Sequence, residues 1–130
     1  MEYYKLVREF NGEYLSFRSS FISEDKDIFI VSYKVDFFVY PYFMRTKLYA
    51  FNNFIAAEEF MSSYENYRFY SDLRLFKCEV ENPKECFKIC SNIDVSSIED
   101  YYLYNEVSPI KTPPDHTVEC DAIKLLERII

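Results

Sequence analysis

Glycine is almost missing: Gly12 is the only one in 130 residues. Glycine alone takes positive φ at no steric cost. A phosphate-cradling P-loop, a dinucleotide fingerprint and a serine-hydrolase nucleophile elbow each need two or more, so all three are excluded in standard form. Positive charge is short as well: 15 Lys and Arg stand against 22 Asp and Glu, a net charge of −7. That disfavours direct binding to a phosphate backbone, which needs clustered cations. Long hydrophobic runs are absent, since the longest, 37–44, is broken by Pro41 and falls short of the ~18 residues of a membrane span. The opening Met1-Glu2-Tyr3-Tyr4-Lys5 lacks the basic and apolar regions of a secretory signal. A cytoplasmic protein without a membrane segment is expected, where four cysteines do not imply disulfides.

Aromatic rings are what the chain has in excess, with 13 Tyr and 13 Phe. Hydrophobic content of 49% argues against disorder and for one folded domain over 1–130. Asn11-Gly12 between the runs 3–10 and 13–19 predicts a type I′ hairpin, with Phe10 opposite Glu13, Arg8 opposite Leu15 and Leu6 opposite Phe17. Val31, Tyr33, Val35 and Phe37 alternate with polar residues, which predicts a strand with one wet face. Pairing should end at Pro41 or become an edge there.

A short strand over 47–51 leads to Asn52-Asn53, an N-cap signal. Phe54, Ala57, Met61 and Tyr64 then mark an amphipathic helix over about 54–64. Residues 73–81 alternate again, with Phe76, Cys78 and Val80 inward and Lys77, Glu79 and Glu81 outward, and Asn82-Pro83 ends that strand. Residues 84–90 fit a short strand or a helical turn. Ser97 with Asp100 suggests a cap for a short helix over 98–104. Pro109, Pro113 and Pro114 make 108–115 an extended loop. The segment 117–130 begins as a strand, while Ala122, Leu125, Leu126, Ile129 and Ile130 also fit a helical stripe. Together these elements predict an α+β domain: a mostly antiparallel, twisted sheet with one main helix packed on one face.

The reactive side chains form no compelling constellation. The one histidine, His116, would need Cys78, Cys86, Cys90 or Cys120 beside it to raise a thiolate. Cys78 and Cys120 fall on inward strand positions, where cysteine behaves as a small hydrophobe. Cys86 and Cys90 are spaced more widely than the usual zinc-binding pair. Carboxylate pairs such as Glu79 with Glu81 and Glu119 with Asp121 fall on wet faces, where solvation accounts for them. No catalytic residue, metal or cofactor is therefore expected.

Several segments, in order, carry a resemblance. Tyr4-Lys5-Leu6-Val7-Arg8 opens the chain, and Leu48-Tyr49-Ala50-Phe51-Asn52-Asn53 leads to Ala57 and Phe60. Lys77-Cys78-Glu79-Val80-Glu81-Asn82-Pro83 follows, and Thr117-Val118-Glu119-Cys120-Asp121-Ala122-Ile123-Lys124-Leu125 comes near the end. The pattern resembles small uncharacterised proteins of bacteriophages and large DNA viruses. The resemblance implies a viral origin and a fold more than an activity. A remoter likeness in fold plan is to ADP-ribosyltransferases, with Arg8 early, a strand–helix unit over 48–60 and Glu119 late. It implies Arg8 and Glu119 as catalytic residues of an active or degenerate enzyme, although Tyr49-Ala50-Phe51 stands where that family has its Ser-Thr-Ser element.

The runs 37–43 and 64–70 hold more aromatic residues than one small sheet can bury. They predict an exposed patch of Phe38, Tyr40, Tyr42, Tyr67 and Tyr70, and such patches mark interfaces. The expected function is a non-enzymatic protein-binding module that docks an aromatic centre with an acidic rim on a basic host protein. A homodimer or a structural virion protein is the alternative use of the same patch. Direct nucleic-acid binding is not expected from this charge.

Overall fold

The computed structural model describes residues 1–16, 31–41, 47–65, 72–87, 89–90, 110–111 and 113–130. Strands β1 (Tyr3–Phe10) and β2 (Glu13–Ser16) form the expected hairpin, with Phe10 opposite Glu13 and Arg8 opposite Leu15. Asn11 at φ 49° and Gly12 at φ 78° supply the two positive φ values that a type I′ turn requires. The proposed partner of Leu6, Phe17, lies outside the described residues.

The strand expected over 31–37 is two strands and a turn. β3 (Ser32–Tyr33) ends early, Lys34 bridges back to Phe37, and β4 (Phe38–Val39) runs the other way. Asp36 makes the reversal at φ 69°, a conformation its short polar side chain tolerates. Val31 and Tyr33 are buried as expected, but Phe37, expected inward, is 66% exposed because the turn carries it outside.

β5 (Leu48–Phe51) leads into α1 (Phe54–Glu65), the one helix among the described residues. Asn53 caps it, its Oδ1 accepting the Ala56 N–H at 2.9 Å. β6 (Leu73–Glu81) follows, then β7 (Lys84–Glu85) and β8 (Ile89–Cys90), so the ambiguous stretch 84–90 resolves into strand pieces. β9 (Ile110–Lys111) pairs with β8 inside the stretch expected to be a loop. The helix suggested over 98–104 lies outside the described residues. The final segment is extended throughout: β10 (Thr117–Cys120) turns at Asp121 into β11 (Ala122–Arg128). A bulge between Leu125 and Glu127 shifts the alternation by one residue, which is why its apolar residues imitate a helical stripe.

The fold is α+β, with every described strand pair antiparallel. The neighbours run β4–β11–β6–β1–β5–β10–β7, and β2 joins β1 to β3. From β1 the path β2, β3, the turn at 34–37, β4, β11 and β6 returns to β1, so this part of the sheet closes on itself. A parallel bridge from Val35 to Leu125 helps to seal the closure. Inside lie Val7, Tyr33, Phe76, Cys78, Ile123 and Leu125, extended by Leu48, Ala50, Val118 and Cys120 from the β5–β10 branch. On the outward side α1 lays Ala57 and Met61 over Tyr4, Leu6, Phe51, Leu73 and Leu75. The first half of β6 is thus covered on both faces, not wet on one.

Candidate functional site

Beyond α1, the outward side of the sheet is formed by β4, β11 and the second half of β6. Register decides what meets there. Lys124 on β11 stands opposite Phe38 on one flank and Glu79 on the other, and Ala122 stands opposite Glu81. Because side chains alternate along a strand, Phe38, Tyr40, Lys124, Ala122, Glu79 and Glu81 all point outward. Val39, Ile123 and Val80 face the core.

The Lys124 ammonium lies 4.9 Å from the centre of the Phe38 ring. It also pairs with Glu79 Oε2 at 3.0 Å. Tyr40 is 55% exposed. Its hydroxyl donates to the Glu81 carboxylate, 3.2 Å from Oε1 and 3.1 Å from Oε2. That bond holds the Tyr40 phenol above its ordinary pKa, because the carboxylate favours the protonated phenol. Next to it, Asp121 accepts from Asn82 Nδ2 at 2.8 Å and pairs with Lys47. Lys47 first, then Asn82, holds the Asp121 carboxyl below the usual carboxylate range. The corner is therefore an aromatic strip edged by carboxylates.

Of the five patch residues expected from the sequence, Phe38 and Tyr40 stand side by side on this face. Tyr42, Tyr67 and Tyr70 lie outside the described residues. Phe38 is half-buried beneath Lys124, so Tyr40 is the more accessible ring. Glu79 and Glu81, which the sequence leaves as solvated carboxylates, become the rim. Lys124, Lys47 and Asp121 were missed as members of this corner. Their only sequence signal is outward or turn placement, and cross-strand register is not written in local pattern.

The residues of the alternative catalytic reading are also placed. Arg8 pairs with Asp72 through two bonds, Nε to Oδ1 at 3.3 Å and Nη2 to Oδ2 at 3.2 Å. Glu119 stands opposite Tyr49 and Lys84 on β10. β1 and β10 have β5 between them, a separation of about 10 Å from ordinary strand spacing. α1 rests on β1 and β5 along the same side.

Cys78, Cys86 and Cys120 are buried. Burial pushes the Cys78 and Cys120 thiols up to about 12. Lys5 reaches into the same interior, its Nζ 2.6 Å from the Tyr49 carbonyl and 5.1 Å from the centre of the Tyr33 ring. There β1 parts from β5, so the ammonium supplies a donor where the ladder stops. His116 is exposed in the turn before β10, at φ 68°. Among the described residues no three of His, Cys, Asp and Glu are grouped so as to hold a metal ion. No described helix is long and apolar enough to cross a membrane.

Compared with known proteins, the chain matches no family model, no curated protein and no solved structure.

Proposed function

We propose that this protein is a non-enzymatic binding module that docks through the outward face of β4, β11 and β6 on a basic surface of another protein. One observation carries the reading: Tyr40, 55% exposed, stands beside Glu81 and Glu79 on a chain of net charge −7. Tyrosine supplies contact area at low entropic cost, and a carboxylate rim selects a partner of opposite sign and speeds encounter. The resemblance to small phage and viral proteins adds the biological half of the proposal. The partner is then a host protein of the cytoplasm, for example one of defence or nucleic-acid processing, and docking inhibits it sterically.

The test is capture from lysate of the natural host with the tagged full chain as bait. A host protein should be retained in stoichiometric amount and released as salt rises, since exposed charges are screened. Tyr40→Ala should weaken capture about tenfold or more, the usual effect of truncating a central aromatic anchor, while circular dichroism stays unchanged. Undiminished capture by a folded Tyr40→Ala protein overturns this site. A bait that retains only copies of itself overturns the host-protein reading in favour of self-association.

A further inference from the structure

We infer that Tyr40 and Glu81 form a receptor for one cationic side chain, a lysine or arginine of the partner. The inference rests on the docking reading above and names what its centre recognises. It comes from two successive rows across β4, β11 and β6. In the first row Phe38, Lys124 and Glu79 lie side by side. The chain there fills its own ring-and-carboxylate pair, with Lys124 4.9 Å from the ring centre and 3.0 Å from the carboxylate. Two residues along each strand, the second row reads Tyr40, Ala122 and Glu81. Ala122 is opposite Glu81, and Tyr40 follows from the register of Phe38 and Val39.

The second row repeats the flanking groups and changes the middle one. It has an aromatic ring on β4 and a carboxylate on β6, but a methyl group where the first row has an ammonium. Ala122 is fully buried, and Tyr40, 55% exposed, is the accessible wall. The Tyr40 hydroxyl spans the row to both Glu81 oxygens at 3.1 and 3.2 Å. Lys124 is held by Glu79 and Lys47 by Asp121, and the exposed Lys84 acts on Asp121 through its charge. A partner's ammonium or guanidinium arriving from solvent would displace the Tyr40 hydroxyl from Glu81 and stand to that ring and carboxylate as Lys124 stands to Phe38 and Glu79 one row away. It would meet the ring face and donate to the carboxylate, and an arginine fork could use both Glu81 oxygens.

The test uses the isotope-labelled full chain and a capped Gly-Ser-Arg-Ser-Gly peptide, followed by NMR. A second peptide carries citrulline, the neutral isostere, in place of arginine. Saturable shifts should centre on the amides of Tyr40, Ala122 and Glu81, with the arginine peptide only, at about millimolar concentration as befits one contact. Glu81→Gln should weaken binding about fivefold or more, whereas Glu58→Gln, an equal charge change on the exposed side of α1, should leave it unchanged. Ala122→Lys should fill the row from within and abolish binding while the protein stays folded. If Ala122→Lys does not fold, the pair Glu81→Gln and Glu58→Gln decides.

Shifts spread over the whole acidic surface overturn the inference. So does equal weakening by Glu58→Gln, or undiminished binding by a folded Ala122→Lys protein. Any of these with Tyr40-dependent capture from lysate intact removes only the cation receptor. Loss of that dependence removes the docking reading itself.

Discussion

Cys78 and Cys120 show what enclosure does to a single side chain. Both thiols face the core, and desolvation raises them to about 12, with the Lys5 ammonium opposing the shift. A thiol that stays protonated is neither a nucleophile nor a metal ligand at neutral pH, so these cysteines act as small apolar groups. The raised values carry a stability consequence of definite sign. Above the ordinary thiol pKa of about 8.5 the unfolded chain loses protons that the folded chain keeps, so stability falls as pH rises. The contribution is complete below about 8.5 and is lost toward 12, at up to about 1.4 kcal/mol per pH unit for each thiol. Cys120→Ala should make the fall of denaturation midpoint between pH 9 and pH 11, about the middle of that window, shallower than in the parent. Identical slopes would mean that the thiol does not ionise on unfolding. Acid acts through Asp121 in the opposite sense: its depressed value gives stability above the usual carboxylate range that is lost as pH falls through the folded value.

Elements in this chain are ended with very little glycine. Among the described residues Asn11, Asp36, Asn82 and His116 take positive φ beside Gly12. Asn and Asp tolerate that region better than other side chains because they can hydrogen-bond locally. Two of these turns were legible, Asn11-Gly12 and Asn82-Pro83, and so was the Asn53 cap. Asn53→Ala should remove the 2.9 Å bond to the Ala56 amide and lower stability by about 1 kcal/mol. Chemical denaturation reads the difference, and an unchanged midpoint would show that α1 is held by its packing alone. One element was misread and another left open, both for physical reasons. The turn at Asp36 lies inside a run whose alternation never breaks, so period two continued through a reversal. β11 contains a bulge, and one extra residue turns a strand pattern into the likeness of a helix.

Closure is the property of the whole molecule. β1 and β6 are covered twice, by the interior through Val7 and Phe76 and by α1 through Leu6 and Leu75. β7 is exposed and, among the described strands, pairs only with β10. Amides deep in β1 and β6 should therefore exchange with solvent slowest, at the rate of global unfolding, and those of β7 among the fastest. Hydrogen exchange would contradict this architecture if β1 opened as readily as β7. The same closure brings β4 against β11, and so places Tyr40 within hydrogen-bond reach of Glu81, 41 positions away in the chain. The site is a consequence of the ring and not of any local motif.

The sequence by itself determined the local elements: the hairpin and its turn, the capped helix with its Ala57 and Met61 stripe, the strand over 73–81 and the acid excess. Each rests on interactions among residues within a few positions of one another, which is what periodicity and turn chemistry record. Tertiary structure alone decided that the sheet closes, that the first half of β6 is buried on both faces and that Phe37 is outside while Val39 is in. It also decided that Phe38, Lys124 and Glu79 form one row and Tyr40, Ala122 and Glu81 the next. Those outcomes depend on register between strands far apart in the chain. Register is selected by burying one complete set of side chains at once, because a slip of one residue would turn every core residue of a strand to solvent.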